Sequence, residues 1–296
     1  MSEKTKSLLE IHIAVFLFGL AGLFGKFIDL PATLIVLGRV VFATIALGLV
    51  LHWSKNASFK LARTKDYWLL GLLGVVLAIH WGTFFQSIQV STVAIGLLTF
   101  STFPVFTTFI EPLVFKEKVK ARDIVIAFIT LLGVALIIPK IEFGDSATQG
   151  AIWGVLSGLS FAILSILNRK YVKKYSSLTI AFYQDAAAAI VLLPFLFLTA
   201  YTIHAKDIWL LALLGVVFTA ASHTLFIKGM THVKAQLASV IASLEPVYGI
   251  VFAIFLLDEV PSGRTIIGGL IILAAAFLAS NERIASKLSL RPWAKN

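Results

Sequence analysis

Cysteine is absent from the 296 residues, which excludes disulfides, thiolate metal sites and a cysteine nucleophile. Charge is scarce as well. Asp, Glu, Lys and Arg make up 14% of the chain, against about 25% in an average soluble domain. There is no Walker-type run of Gly-x-x-x-x-Gly-Lys, so ATP has no phosphate cradle here. Paired aspartates, a serine beside a general base and His-Glu-x-x-His are missing too, which leaves an intramembrane enzyme without its working groups. No connector is long enough to hold a soluble domain, and that argues against a receptor or scaffold. What remains is apolar: 59% of residues are hydrophobic. They recur in runs of about 20 residues, the length needed to cross a hydrocarbon core as a helix.

Ten such runs are legible, at residues 10–28, 31–52, 67–89, 93–115, 121–139, 149–168, 178–201, 208–228, 235–257 and 264–281. Pro and Gly mark several of the short turns between them, as in Leu30-Pro31 and Pro261-Ser262-Gly263. With the N-terminus placed inside, twenty of the 25 Lys and Arg fall on the cytoplasmic side. Only Lys26, Arg39, Lys140, Lys206 and Arg264 do not. This bias follows the positive-inside rule and predicts that both termini are cytoplasmic. The net charge of +10 is thereby explained by a basic membrane face, and nucleic acid is not expected as a partner. The start, Met1 to Lys6, is short and polar, and the apolar stretch after it lacks a small-residue cleavage pattern, so no signal peptide is expected.

An internal repeat runs through the chain. Pro104-Val105-Phe106 leads to Glu117, and Pro246-Val247-Tyr248 leads to Glu259; Arg122 and Arg264 keep the same register, one repeat apart. Each copy holds five predicted spans, and an odd number turns the second copy upside down relative to the first, the inverted-repeat design of many secondary transporters. The basic turn Lys116-Glu117-Lys118-Val119-Lys120 becomes Asp258-Glu259-Val260-Pro261-Ser262 in the second copy, without its lysines. That loss agrees with the copies ending on opposite faces. The expected fold is an all-α integral membrane protein, ten transmembrane helices arranged as two inverted five-helix repeats, residues 1–140 and 141–296, around a central cavity.

Four stretches, in order, carry a resemblance. They are Leu17-Phe18-Gly19-Leu20-Ala21-Gly22-Leu23-Phe24-Gly25-Lys26-Phe27, Leu37-Gly38-Arg39-Val40-Val41-Phe42-Ala43, the Pro104 to Glu117 segment and Leu244-Glu245-Pro246. Together with the ten spans they resemble the ten-span EamA-type family of the drug/metabolite transporter superfamily, over nearly the whole chain. Two features depart from it: Asp185 sits where the second copy has no arginine to match Arg39, and His80-Trp81 is not a family-wide pair. The resemblance implies transport of a small organic metabolite across a bacterial-type inner membrane, among amino acids and their derivatives, sugars and nucleobases. It implies no enzyme activity and no cofactor or metal. Export, as by the family's amino-acid exporters, is the expected direction, with uptake of nucleobase- or sugar-like metabolites as the alternative.

An ionisable group near mid-membrane costs about 2.5–3.5 kcal/mol on insertion scales, so it marks a wet cavity or a partner. Glu245 is the leading candidate. It sits at mid-span before Pro246, which removes a backbone donor, among the small neighbours Ala238, Ala242 and Gly249. It is read as a carboxylate for a substrate ammonium or a coupling proton, and helix packing is the plainer alternative. His223 and His80 are candidate proton relays, and Arg39 and Asp185 are read as gating or structural charges, paired to carbonyls or to a neighbour such as Asp29. An aromatic lining drawn from Trp81, Phe84 and Phe85, from Phe100, Phe103 and Phe106, and from Phe161 and Tyr248 is expected to bind a flat or amphipathic cargo. Ser157, Ser160, Phe161, Leu164 and Asn168 make a polar stripe on the sixth span. Gly19, Gly22 and Gly25 predict close packing or a bend in the first. Lys26 and Glu111 are expected to snorkel, and Glu117 and Glu259 to tether spans at the two faces. Lipid is a partner throughout. The energy source is left between proton exchange through Glu245 and facilitated diffusion.

Overall fold

The computed structural model describes residues 2–54, 57–115, 121–138, 142–198, 200–233 and 235–280. Among them every regular element is helical. In chain order the α-helices are α1 (Glu3–Ala21), α2 (Phe24–Phe27), α3 (Ala32–Trp53), α4 (Thr64–Val90), α5 (Val93–Phe100), α6 (Phe103–Phe115), α7 (Ala121–Ile137), α8 (Ser146–Tyr171) and α9 (Ser177–Leu192). They continue with α10 (Ala205–Gly215), α11 (Ser222–Gly229), α12 (Ala235–Ala242), α13 (Glu245–Leu257) and α14 (Gly263–Ser280). Seven continuous or jointed helices are long and apolar enough to cross a bilayer, and the shorter apolar stretches Ile124–Ile137, Glu245–Leu257 and Gly263–Leu278 accompany them.

Each predicted span is helical, and where the ends differ there is a local reason. The first helix begins at Glu3 because the Ser2 side chain accepts from the Thr5 amide, satisfying a free donor of the first turn. Thr92, Asp145 and Ser176 cap α5, α8 and α9 in the same way. The seventh span stops its α-helix at Leu192 and passes into a 3-10 turn, Leu193–Phe197. Pro194 cannot donate to the preceding turn.

Four spans are interrupted. The first bends after Ala21, at Gly22 and Leu23. The fourth breaks at Ser101 and Thr102, between α5 and α6, and the ninth at Ser243 and Leu244, between α12 and α13. In the internal repeat Ser101 corresponds to Ser243 and Pro104 to Pro246. Both prolines sit in the first turn after the break, where a missing N–H costs nothing. An eighth-span interruption was not foreseen: Val216–Ala221 winds as a π-helix between α10 and α11.

The helices are brought together by small residues. Gly150, Gly154 and Gly158 form one row on α8, and a Cβ on them would fall 2.2 Å from the Ser91 Oγ, 1.9 Å from the Thr99 Oγ1 and 2.8 Å from the Phe100 carbonyl. The row seats α5 and the break after it directly on α8. Gly19 does the same for α1, since its Cβ would lie 2.8 Å from the Glu245 carbonyl. Close approach of this kind is the usual basis of helix association in lipid. It holds α1 against α13 and α11, α4 against α8 and α9, and α14 against α7.

Candidate functional site

The breaks in the fourth and ninth spans open on one cavity. Phe100 ends α5, Glu245 begins α13, and both line it, with His80 and Trp81 of α4, Phe161 of α8 and His223 of α11. The cavity is narrow, about 20 Å³, room for about one water. The wall is aromatic: the His80 ring lies 4.9 Å from Phe161 and 5.4 Å from Phe100, centroid to centroid. Trp81 meets the His223 ring edge-on at 5.6 Å. These two residues are also repeat counterparts, so the copies touch at equivalent positions.

Behind Trp81 lies Arg39, 1% exposed. Its Nε donates to Thr219 Oγ1 at 2.8 Å and its Nη2 to the Phe218 carbonyl at 3.3 Å. The guanidinium carbon stands 3.9 Å from the Trp81 ring centroid, a cation–π contact. Thr219 belongs to the π-helical turn, where its hydroxyl donates to the Leu214 carbonyl five residues back, at 2.8 Å. The hydroxyl thereby keeps its lone pairs for Arg39. Thr219 thereby reaches Arg39 of α3 from within the wide turn, and π-turns are frequent at functional sites.

Asp185 on α9 is completely buried, and its Oδ1 lies 4.0 Å from His223 Nδ1. Among the described residues neither Asp185 oxygen and neither His223 nitrogen has a hydrogen-bond partner. Buried polar atoms are nearly always satisfied, so an unsatisfied pair beside a cavity is where a ligand, water or proton would be accommodated. Arg39 interacts electrostatically with both Asp185 and Glu245. With the histidines neutral, the site carries two acids for one fixed base.

The sequence-predicted residues divide by position. Trp81, Phe161, His223, Glu245 and His80 line the cavity. Phe85 and Phe103 are fully buried outside it: Phe103 stacks on Phe100 at 5.0 Å, and Phe85 packs on Phe84 and against Arg39. Tyr248 does not line the cavity: its ring is edge-on to Phe16 at 5.3 Å, and its Cβ belongs to the Gly19 contact that locks α1 onto α13. Of the phenylalanines expected in the lining, Phe84 and Phe100 face the cavity with Phe161, and Phe85 and Phe103 do not. Arg39 pairs with a carbonyl and a hydroxyl and not with Asp29. Within the polar stripe, Ser157 bonds His80, and Asn168 accepts from Gln184 at 2.5 Å. Gln184, Thr219 and the Gly150–Gly158 row were missed. A Gln-Asp pair inside an apolar span and a glycine at every fourth position were the available signals.

Polar ties close the helix ends. At one end Glu259 Oε2 accepts from the Val93 amide at 2.8 Å, while Lys26 donates to the Ser91 carbonyl at 2.8 Å and lies 3.8 Å from Glu259. Lys26 is thus a tether, not a snorkelling chain, and Glu259 caps α5 as expected. Its repeat counterpart Glu117 lies outside the described residues. Elsewhere Glu10 pairs with Lys228 at 2.7 Å, Glu111 with Arg169, and Asp66 with Lys174 and Tyr175. The Glu111 pair replaces the predicted snorkelling. The hydrogen bond to Asp66 holds the Lys174 ammonium above the usual lysine range.

A duplicated chain whose described residues form helices long and apolar enough to cross a bilayer, with acidic groups beside a buried aromatic cavity at two helix breaks, fits a polytopic membrane transporter, and comparison with known proteins agrees. The EamA-like transporter family matches twice, over residues 5–138 and 148–281. The chain belongs to that family and is a membrane transporter, not an enzyme. It is 27% identical to an uncharacterized transporter of Bacillus subtilis (strain 168), over 84% of this chain and 81% of that one. It is 29% identical to a protein of Rickettsia bellii (strain RML369-C) named S-adenosylmethionine uptake transporter, over 83% of each. A crystal structure of another protein superposes with a TM-score of 0.70 over 98% of this chain and 99% of that one at 16% identity, which shows the shared fold.

Proposed function

We propose that this chain is a secondary carrier that moves a small organic metabolite by alternating access. Two inverted five-helix units, residues 1–140 and 141–296, would rock around the aromatic cavity, with both termini in the cytoplasm of a bacterial-type cell. The observation that carries the reading is Glu245: a buried carboxylate at a helix break, facing a cavity walled by Trp81, Phe84, Phe100 and Phe161. A carboxylate among rings suits a cargo with one positively charged group and one flat apolar part, or a proton in its place. Asp185 and His223 supply a second, unsatisfied acid–base pair within the same cluster. The cavity as it stands is too narrow for such a cargo, which is in keeping with a closed state whose walls must part. The relatives named for S-adenosylmethionine uptake favour inward movement over export, and nothing in the geometry favours export.

Counterflow in proteoliposomes tests this, with S-adenosylmethionine and amino acids as internal and external solutes, with and without a pH gradient. Glu245→Gln is expected to abolish exchange while the protein keeps its thermal stability. Unchanged kinetics in that variant would remove Glu245 from the site. Exchange that ignores the gradient would assign facilitated diffusion.

A further inference from the structure

One wall residue is held in a single chemical form. Ser157 Oγ donates to the His80 carbonyl at 3.0 Å, and the His80 Nδ1 lies 2.9 Å from that hydroxyl and 3.2 Å from the Ser157 carbonyl. A carbonyl can only accept, so the nitrogen facing it must carry the proton. The opposite tautomer would set a nitrogen lone pair against the carbonyl lone pairs, with the hydroxyl hydrogen already committed to α4. Ser160 Oγ also donates to the Ser157 carbonyl at 2.9 Å, fixing that turn of α8. Neutral His80 is therefore Nδ1–H with a bare Nε2. Nε2 makes no hydrogen bond among the described residues, and His80 lines the cavity, so this lone pair is the acceptor that His80 has to offer there.

Two acceptors then face the cavity, the His80 Nε2 and the Glu245 carboxylate, beside the N–H donors that Trp81 and His223 carry. The strong donor nearby, Arg39, has its Nε and Nη2 committed to Thr219 and Phe218 and its face to Trp81. Resting on the carrier reading above, we infer that His80, locked by Ser157, is a specificity-determining residue that accepts a hydrogen bond from an N–H on the flat part of the cargo. Phe100 and Phe161 hold that ring while His80 reads its edge, and Glu245 remains for the charged end. The cargo class is a flat nitrogen heterocycle bearing an N–H donor, and Ser157 is a positioning residue.

The test needs a flat probe whose one donor can be removed. Purified protein is titrated with 9-methyladenine and with its N6,N6-dimethyl derivative, following thermal stabilisation. Wild type is expected to prefer the donor-bearing probe by about tenfold, the scale of one hydrogen bond. His80→Phe, a shape that fits the ring cluster, should bind both equally. His80→Gln, which keeps an acceptor, should regain part of the preference. Histidine ¹⁵N spectra, with the His80 signals identified by their loss in His80→Phe, should show Nδ1 protonated and Nε2 bare, and Ser157→Ala should mix the tautomers and weaken the preference. Equal binding of the two probes by wild type, binding of neither, retained preference in His80→Phe, or an Nε2–H tautomer would each overturn the assignment. None of these bears on the carrier reading, which fails separately if proteoliposomes exchange no solute.

Discussion

At the scale of single residues, the site is organised by a buried arginine whose partners are supplied by an irregular turn. Thr219→Val removes the oxygen that accepts from Arg39 Nε and leaves a charged donor without its partner, which costs about 1–3 kcal/mol. The apparent melting temperature should fall by several degrees and recover in Thr219→Ser; equal stability of the valine variant would show that Arg39 finds another acceptor. Arg39 itself was legible, because a lone arginine within an apolar run must be spoken for. Its partner was not, because a π-turn has no sequence signature that separates it from the α-helix around it. Glu245 was legible for the same reason as Arg39, helped by the proline after it. The choice between Phe84 and Phe85, or Phe100 and Phe103, turns on a rotation of one residue about a helix axis, and an apolar helix with lipid on one side and core on the other does not fix that rotation by pattern.

At the scale of elements, packing distance is set by glycine. In Gly154→Leu the added chain would have to enter space already filled by Thr99, whose Oγ1 lies 1.9 Å from where a Cβ would stand. Overpacking of that kind costs about 1–3 kcal/mol or more, so purified protein should unfold at a clearly lower temperature. Gly82→Ala is the counterpart: nothing lies within 4 Å of its Cβ, and stability should hold or rise by up to about 1 kcal/mol through helix propensity. A Gly154→Leu protein as stable as wild type would mean that α5 does not rest on α8. The element boundaries were largely readable from hydropathy, prolines and capping residues. The breaks at Ser101-Thr102 and Ser243-Leu244 were foreshadowed by Pro104 and Pro246, each the second residue after its joint.

At the scale of the whole molecule, the polar ties at the helix ends matter more than any one contact. Lys26, Glu259 and the amide of Val93 fasten the first, fourth and ninth-span segments at one end, and Glu10 with Lys228 fastens α1 to α11 elsewhere. If the carrier works by rocking, the first tie must open in every cycle. Because the native chain has no cysteine, thiols placed at 26 and 259 can be joined cleanly by a short bismaleimide. Exchange in proteoliposomes should stop on joining, and unjoined double-cysteine protein should retain it. Continued exchange by fully joined protein would show that this end stays shut during transport. The duplication was visible in the sequence as two prolines, two glutamates and two arginines in one register; the contact between the copies was not, since it depends on which helix faces meet.

That contact has a mechanical corollary. Trp81 and His223 are counterparts and meet ring to ring, so in the proposed arrangement the line about which one half maps onto the other runs between them. Points on such a line stay in place when the halves trade conformations, while points far from it sweep the widest arcs. A solute held against these two rings would then rest at the fulcrum, and the protein would carry it across by moving everything else.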